Sequence, residues 1–207
     1  MVGATPGLEA LDVAWNAQAD LELAMLRKIK LVLSSYDFKK YFDSFQYDFT
    51  KDMLLHCGMD PGLVHLTCHL YQNSWRTMKS GNSLSEPFQT ANGFGQGDVL
   101  SLIPALVFVS WQFKVIEARH PTVTKGAYID DRNFRGSLSE ILLVDECVQE
   151  FDTLAMHERE HDKTIFLCTC EKERARVKRM TLHGRKPKSP TFTEIVGHTI
   201  TVARRAV

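Results

Sequence analysis

Asp130 and Asp131 stand side by side between two short runs of strand character, and this pair constrains the fold more than any other feature of the chain. Residues 123–136 read as strand–turn–strand with both carboxylates at the turn. An ionised carboxylate is too costly to bury without a partner, so the chain must reverse at the end of a sheet. A third acid has the same placement. Residues 29–37 read as a buried strand that ends in Asp37.

The remaining pattern supplies a scaffold for these strand ends. Residues 9–28 are rich in Ala and Leu and predict a helix. Thr50 is placed to cap a short helix that stops at Gly58, and Asp60-Pro61 to start the next. That second helix is expected to bury Val64, Leu66, Thr67, Leu70 and Tyr71. A Gly-, Asn- and Ser-rich stretch over residues 81–98 surrounds a short strand at Pro87–Ala91. An apolar helix follows over Ser101–Ala118, with Pro104 expected in its first turn, where a missing N–H matters least. Ile141, Val144, Val148, Phe151, Leu154 and Ala155 recur at helical spacing. Thr164–Cys170 and Phe192–Val202 complete the strands. The order β-α-α-β-α-ββ-α-β-β predicts an α+β fold with an antiparallel sheet backed by helices.

Apolar residues make up 44% and charged residues 24%, the balance of an ordinary globular chain. The longest apolar run, near Ile103–Trp111, is too short to span a bilayer, and no signal peptide is visible, so no membrane partner is expected. Five cysteines without framework spacing predict reduced thiols and an intracellular protein, with nucleus and cytoplasm both open. The net charge of zero hides an asymmetry. From Glu171 to Val207, ten Lys and Arg stand against three Asp and Glu, or +7, so the preceding residues sum to −7. Such a basic segment fits a nucleic-acid backbone and a solvated tail equally well.

Two or three aspartates converging at one sheet edge would suit Mg²⁺, a hard cation that prefers carboxylate and phosphate oxygen. A pair of such ions activates a 3′-hydroxyl and stabilises departing pyrophosphate. An Asp-Asp pair alone is also ordinary turn chemistry.

Five segments together are more specific. Tyr128-Ile129-Asp130-Asp131 matches the YxDD signature of reverse transcriptases. Asp37 to Asp43 (DFKKYFD) resembles the D-x-x-x-A-F-D segment of the non-LTR type. Gly93 to Ser101 (GFGQGDVLS) resembles G-x-x-Q-G-D-P-L-S. Asp162-Lys163-Thr164 resembles a later lysine motif, and Ile195 to Ile200 (IVGHTI) resembles a closing Y-L-G-x-x-I strand. A fainter echo of a G-x-x-P-G-x-S segment falls at Gly3 to Ala10. The chain thus resembles the palm of a reverse transcriptase, an RNA-directed DNA polymerase of the retrotransposon kind.

The resemblance implies a ferredoxin/RRM-like polymerase palm: an antiparallel sheet with helices packed on one face. Residues 1–28 would be a helical lead-in left from the fingers. Residues 29–207 would be the palm, ending at the last strand without a complete thumb, as in a fragment of a retroelement polymerase. Asp37, Asp130 and Asp131 would be catalytic and bind Mg²⁺, or Mn²⁺ in its place. Phe42 would exclude a 2′-hydroxyl from the sugar site. Gln96, Gly97 and Lys163 would contact the incoming dNTP. Ser101, capping the following helix or touching the template, would join Tyr128 and Gly197 along template and primer. The partners implied are an RNA or DNA template with its primer, dNTPs, and fingers and thumb from flanking sequence.

Some residues depart from the pattern. Tyr41 stands where a small residue is usual and is expected to crowd the nucleotide. Val99 and Leu102 replace prolines. Arg132 directly follows the acid pair and is expected to pair with a carboxylate or to compete with the metal. A palm that binds nucleic acid or a partner without catalysis is the first alternative. The second is a zinc peptidase, because His157-Glu158-Arg159-Glu160-His161 satisfies H-E-x-x-H. On a helix those histidines would share a face, with a third ligand from Glu171, Glu173, His183 or His198. His65, Cys68 and His69, and the pair Cys168 and Cys170, read as helix and core residues.

Overall fold

The protein is described here by a computed structural model covering residues 9–195 and 197–202. Helix α1 (Ala10–Leu26) leads into β1 (Val32–Tyr36). A long excursion follows: β2 (Phe38–Lys39), α2 (Tyr41–Ser44), α3 (Tyr47–His56), α4 (Pro61–Gln72), β3 (Trp75–Arg76), β4 (Lys79–Ser80), β5 (Ser83–Leu84) and β6 (Phe88–Gln89). Then come α5 (Val99–Arg119), β7 (Thr124–Tyr128), β8 (Asp131–Gly136), α6 (Leu138–Ala155), β9 (Glu158–Arg159) and β10 (Ile165–Cys168). The described chain closes with α7 (Glu171–Arg179), β11 (Phe192–Ile195) and β12 (His198–Thr201).

The fold is α+β, as the pattern predicts. Four strands form an antiparallel sheet in the order β10-β1-β8-β7. Read along the chain, β1, α5, β7, β8, α6 and β10 make a β-α-β-β-α-β unit, the split βαβ arrangement. Alternation along the strands divides their side chains between two faces. Val32, Tyr36, Phe134 and Phe166 point into the larger core, built with Phe108 and Ile116 of α5 and Ile141, Val144 and Val148 of α6. Leu33 and Leu167 point the other way, onto Val13, Ala17 and Leu21 of α1 and Ile195 and Ile200 of the β11–β12 hairpin. The central strands are therefore covered on both faces.

Local chemistry sets the helix starts. Asp60 accepts the Leu63 N–H at 3.0 Å, with Pro61 in the first turn of α4. Ser137 and Glu140 form a reciprocal capping box on α6.

The structure corrects several expectations. Thr50 caps nothing, because α3 begins at Tyr47 and Thr50 is buried within it. On α4, Val64, Thr67, Cys68 and Tyr71 are buried, whereas Leu66 and Leu70 are exposed. Pro104 falls in the second turn of α5, since that helix starts at Val99. That helix also has the length and apolar composition to cross a membrane, contrary to the shorter run read from sequence. Here it is the central core helix, with Pro104, Ala105, Phe108, Val109, Phe113 and Ile116 buried. All five cysteines are free thiols.

The H-E-x-x-H segment does not form a zinc site. Helix α6 ends at Ala155, and Met156 turns left-handed at φ 55°. His157 then enters the core among Phe45, Tyr41 and Phe108, with ring centroids 4.6–4.8 Å away. His161 lies beyond β9 rather than one helical turn away on the same face.

Candidate active site

The β1–β8 register brings the three aspartates to one end of the sheet. Tyr36 pairs with Arg132, so the next residues, Asp37 just past the end of β1 and Asp131 at the start of β8, come side by side. Tyr128 pairs with Asp131 across the β7–β8 hairpin, and Ile129-Asp130 form its tip. Ile129 takes φ 58°, a left-handed conformation that costs a β-branched residue about 1–2 kcal/mol. Strain of this kind gathers at functional turns.

Electrostatics at this end favour a cation. Burial, and then the negative charge of Asp37, push the Asp130 carboxyl above its usual range. Asp37 accepts the Phe38 N–H through Oδ1 at 2.8 Å, while Lys163 Nζ sits 2.7 Å from its Oδ2. That contact raises the Lys163 ammonium above its ordinary value. The donors are hard carboxylate oxygens, the type Mg²⁺ prefers. As the side chains stand, the lysine supplies the countercharge, and among the described residues no group of three or more His, Cys, Asp or Glu is set to hold an ion.

Beside Asp37 lies an open groove of about 670 Å³. Lys39, Lys40 and Lys163 line it together with Asp43, Glu158 and Glu160. Lys39 is held by Glu158 at 2.6 Å.

The glycine-rich loop docks on the segment that follows Asp37. Gly93 N–H donates to the Phe45 carbonyl at 2.8 Å, and Phe94 N–H to the Phe42 carbonyl at 2.9 Å. Gly93 has φ +93°, and a Cβ there would meet the Asp43 backbone at 2.8 Å, so glycine is required. Tyr47 Oη donates to the Gly93 carbonyl at 2.9 Å. Gln96 and Gly97 follow on the exposed part of this loop, with Gly97 at φ +85°.

The structure thus joins Asp37, Asp130, Asp131, Tyr128 and Lys163 in one place and hangs Gln96 and Gly97 from the Phe42 segment. Phe42 is half-buried, its ring edge-on to Tyr41 at 5.6 Å. Ser101 is not the helix cap. Asp98 is, accepting the Leu100 N–H at 3.0 Å, and the buried Ser101 hydroxyl donates to the Asp98 carbonyl at 2.6 Å. Gly197 sits exposed between β11 and β12 with φ +75°. The echo at Gly3 to Ala10 lies almost wholly outside the described residues.

Tyr41 is not where it was expected, whereas Arg132 does pair with a carboxylate, that of Asp152. Tyr41 is 3% exposed and packs inward on Phe38 and Phe45, so it does not crowd the groove. Arg132 is fully buried, and its charge reaches Asp130, where it acts against the effect of burial. Its guanidinium lies 3.9 Å from the centroid of Phe38 and donates to Gln112 at 3.0 Å and Asp152 at 3.4 Å. Arg159 completes the network, donating to Asp152 and Asp145 at 2.7 Å each. Arg132 thus grips the neighbour of Asp37 while being itself the neighbour of Asp131.

The partners of Arg132 in this network, the docking role of Gly93, and the groove lysines Lys39 and Lys40 were not read from the sequence. One signal for the network was present. Asp145 and Asp152 lie seven residues apart on the same helical face as Ile141, Val144, Val148 and Phe151. Acids on an apolar stripe imply buried partners.

No protein-family model and no curated protein matches the chain. Solved structures match its fold. Telomerase from Candida tropicalis, truncated from its C-terminal domain, aligns with a TM-score of 0.63 over 94% of this chain and 39% of that one, at 16% identity. Telomerase from Candida albicans, in complex with a TWJ fragment of telomeric RNA, aligns with a TM-score of 0.59 over 97% and 34%, at 12% identity. The Candida tropicalis enzyme with the same kind of RNA fragment aligns at 0.57 over 76% and 29%, at 16% identity. The chain spans 29% to 39% of the length of these structures. At such identity the shared property is the fold alone.

Proposed function

We propose that this chain is the palm of a reverse transcriptase, an RNA-directed DNA polymerase that joins dNTPs to a primer 3′-hydroxyl on an RNA or DNA template. The observation that carries the reading is the meeting of Asp37 with Asp130-Asp131 across β1 and β8, beside Lys163. The telomerase likeness in fold, with RNA named in two of those structures, supports a nucleic-acid partner. The retroelement origin, intracellular setting and flanking fingers and thumb belong to the same proposal.

In this reading Asp37, Asp130 and Asp131 would hold Mg²⁺ or Mn²⁺, which would supply charge stabilisation to the transfer. Lys163 gives up Asp37 when nucleotide binds and turns its ammonium to the triphosphate, with Lys39 and Lys40 on the same groove. Phe42 limits the sugar to deoxyribose. The open Gln96–Gly97 loop meets nucleotide and template, and Ser101, through its bond to Asp98, steadies that loop. Tyr128 and Gly197 lie toward the primer. Positioning and charge supply most of the rate in such transfers.

The Lys163–Asp37 contact also suits a palm that binds without catalysis, because it neutralises one acid with no metal. Primer extension on an RNA template separates the readings. Synthesis that needs Mg²⁺ or Mn²⁺ and falls by at least about 100-fold in Asp130→Asn supports the enzyme. Synthesis untouched by that change refutes the site. RNA binding with no synthesis under either metal favours the non-catalytic palm.

A further inference from the structure

The end of the sheet opposite the aspartates carries a second charged feature. Val32 pairs with Cys168 there, so the residues before β1 and after β10 lie together. Thr169 ties them. Its N–H donates to the Leu31 carbonyl at 3.0 Å, its hydroxyl donates to the Ile29 carbonyl at 2.9 Å, and its Oγ1 accepts the Leu31 N–H at 2.9 Å. Lys30, between those two anchored residues, is thereby fixed beside the start of α7.

Helix α7 is itself seated firmly. Val177 is 1% exposed, and Arg174 donates to the Cys168 carbonyl at 3.0 Å. With Arg174 and Val177 spent on docking, Lys172, Arg176 and Arg179 fall at i, i+4 and i+7 along a different side. Their rise along the axis is about 6 Å and then about 4.5 Å. They line, with Lys30, Glu173 and Met180, a groove of about 580 Å³. Four cations face one acid. Arg176 reaches Glu173 only at 3.9 Å, and among the described residues Lys30, Lys172 and Arg179 enter no ion pair.

We propose that this groove binds the phosphate backbone of a nucleic acid, at a site separate from the aspartate end. A row of cations at helical spacing repels itself, and a polyanion that displaces its counterions relieves that repulsion. A stripe spanning two helical turns is longer than one small anion requires. A membrane surface is the poorer fit, because interfacial helices need large apolar side chains beside their cations. Val177 is the one large aliphatic residue of α7, and it is buried. The proposal does not rest on catalysis at Asp130.

The test uses the full chain and a fluorescent single-stranded RNA of about 20 nucleotides, with anisotropy read over a salt series. Wild type is compared with Lys172→Glu/Arg176→Glu/Arg179→Glu. The expected result is affinity at least about 10-fold lower, and a log K against log salt slope shallower by about 2, as three lost phosphate contacts on a single strand require. Lys172→Gln/Arg176→Gln/Arg179→Gln, checked by thermal melting, gives the same direction if the reversed variant fails to fold. Unchanged affinity and slope in the folded variant overturn the proposal. So does equal, variant-sensitive binding to anionic vesicles or to polyglutamate, which would assign the groove to a membrane or to an acidic protein. Loss of primer extension with groove-dependent RNA binding intact would count against the polymerase reading alone.

Discussion

His157 is a polar ring in an apolar cage. Burial, and then the positive charge of Arg132, hold its imidazole down to about 2, so it stays neutral when folded. An unfolded histidine titrates near 6.5, so between these values only the unfolded chain gains a proton there. Stability contributed by this residue is therefore full above pH 6.5 and falls by about 1.4 kcal/mol per pH unit below it. His157→Phe should remove that slope. From pH 7 to pH 5 the gap between variant and wild type should change by roughly 2 kcal/mol in the variant's favour, measured by urea unfolding. Parallel profiles would contradict the buried, neutral placement. The residue also marks how far local motifs could be read. Tyr128-Ile129-Asp130-Asp131 was legible because a turn between two strands needs only near neighbours. His157-Glu158-Arg159-Glu160-His161 misled because a helix end, fixed by the Met156 reversal, broke the spacing that gives the motif its chemistry.

At the scale of elements, β8 was legible as a strand from the hairpin at Asp130-Asp131, but its burial was not. Its residues include Asp131, Arg132, Asn133 and Arg135, a poor match to apolar alternation, yet it is an inner strand with Arg132 and Asn133 buried. The reason is long-range: partners for Arg132 come from α5 and α6, and for Arg159 from α6. Helix α6 by contrast announced itself through the helical spacing of Ile141, Val144, Val148, Phe151 and Ala155. The network binds β8, β9, α5 and α6 as one unit. Arg159→Met leaves Asp145 and Asp152 buried with too few partners and should cost about 3–5 kcal/mol. Asp152→Asn combined with it should cost less than the two changes separately, because they share one interaction. Additive losses in chemical denaturation would show that the groups are not coupled.

Across the whole molecule, two cores share one sheet. The larger lies under α5 and α6, and the smaller lies between the sheet, α1 and the β11–β12 hairpin. Composition and periodicity predicted the sheet and its class. The second layer was less visible, because contact between α1 and β12 joins residues from opposite ends of the described chain. The two layers should also open separately. Leu21 is fully buried in the smaller core, and Leu21→Ala should cost about 2–5 kcal/mol. Hydrogen exchange in that variant should accelerate in α1, β11 and β12 before α6. Acceleration spread evenly over both layers would indicate a single cooperative unit.

The pairing of β1 gives its length an arithmetic of its own. Its five residues place Asp37 past one end and Lys30 two residues before the other, an interval of about 23 Å of extended chain. One inserted residue would rotate everything beyond it to the opposite face, exchanging Leu33-type and Tyr36-type positions between the two cores. Two inserted residues would restore the facing and lengthen the interval by about 7 Å. The spacing between the acidic and basic poles is therefore quantised by parity, and a descendant chain that changes it must move in even steps.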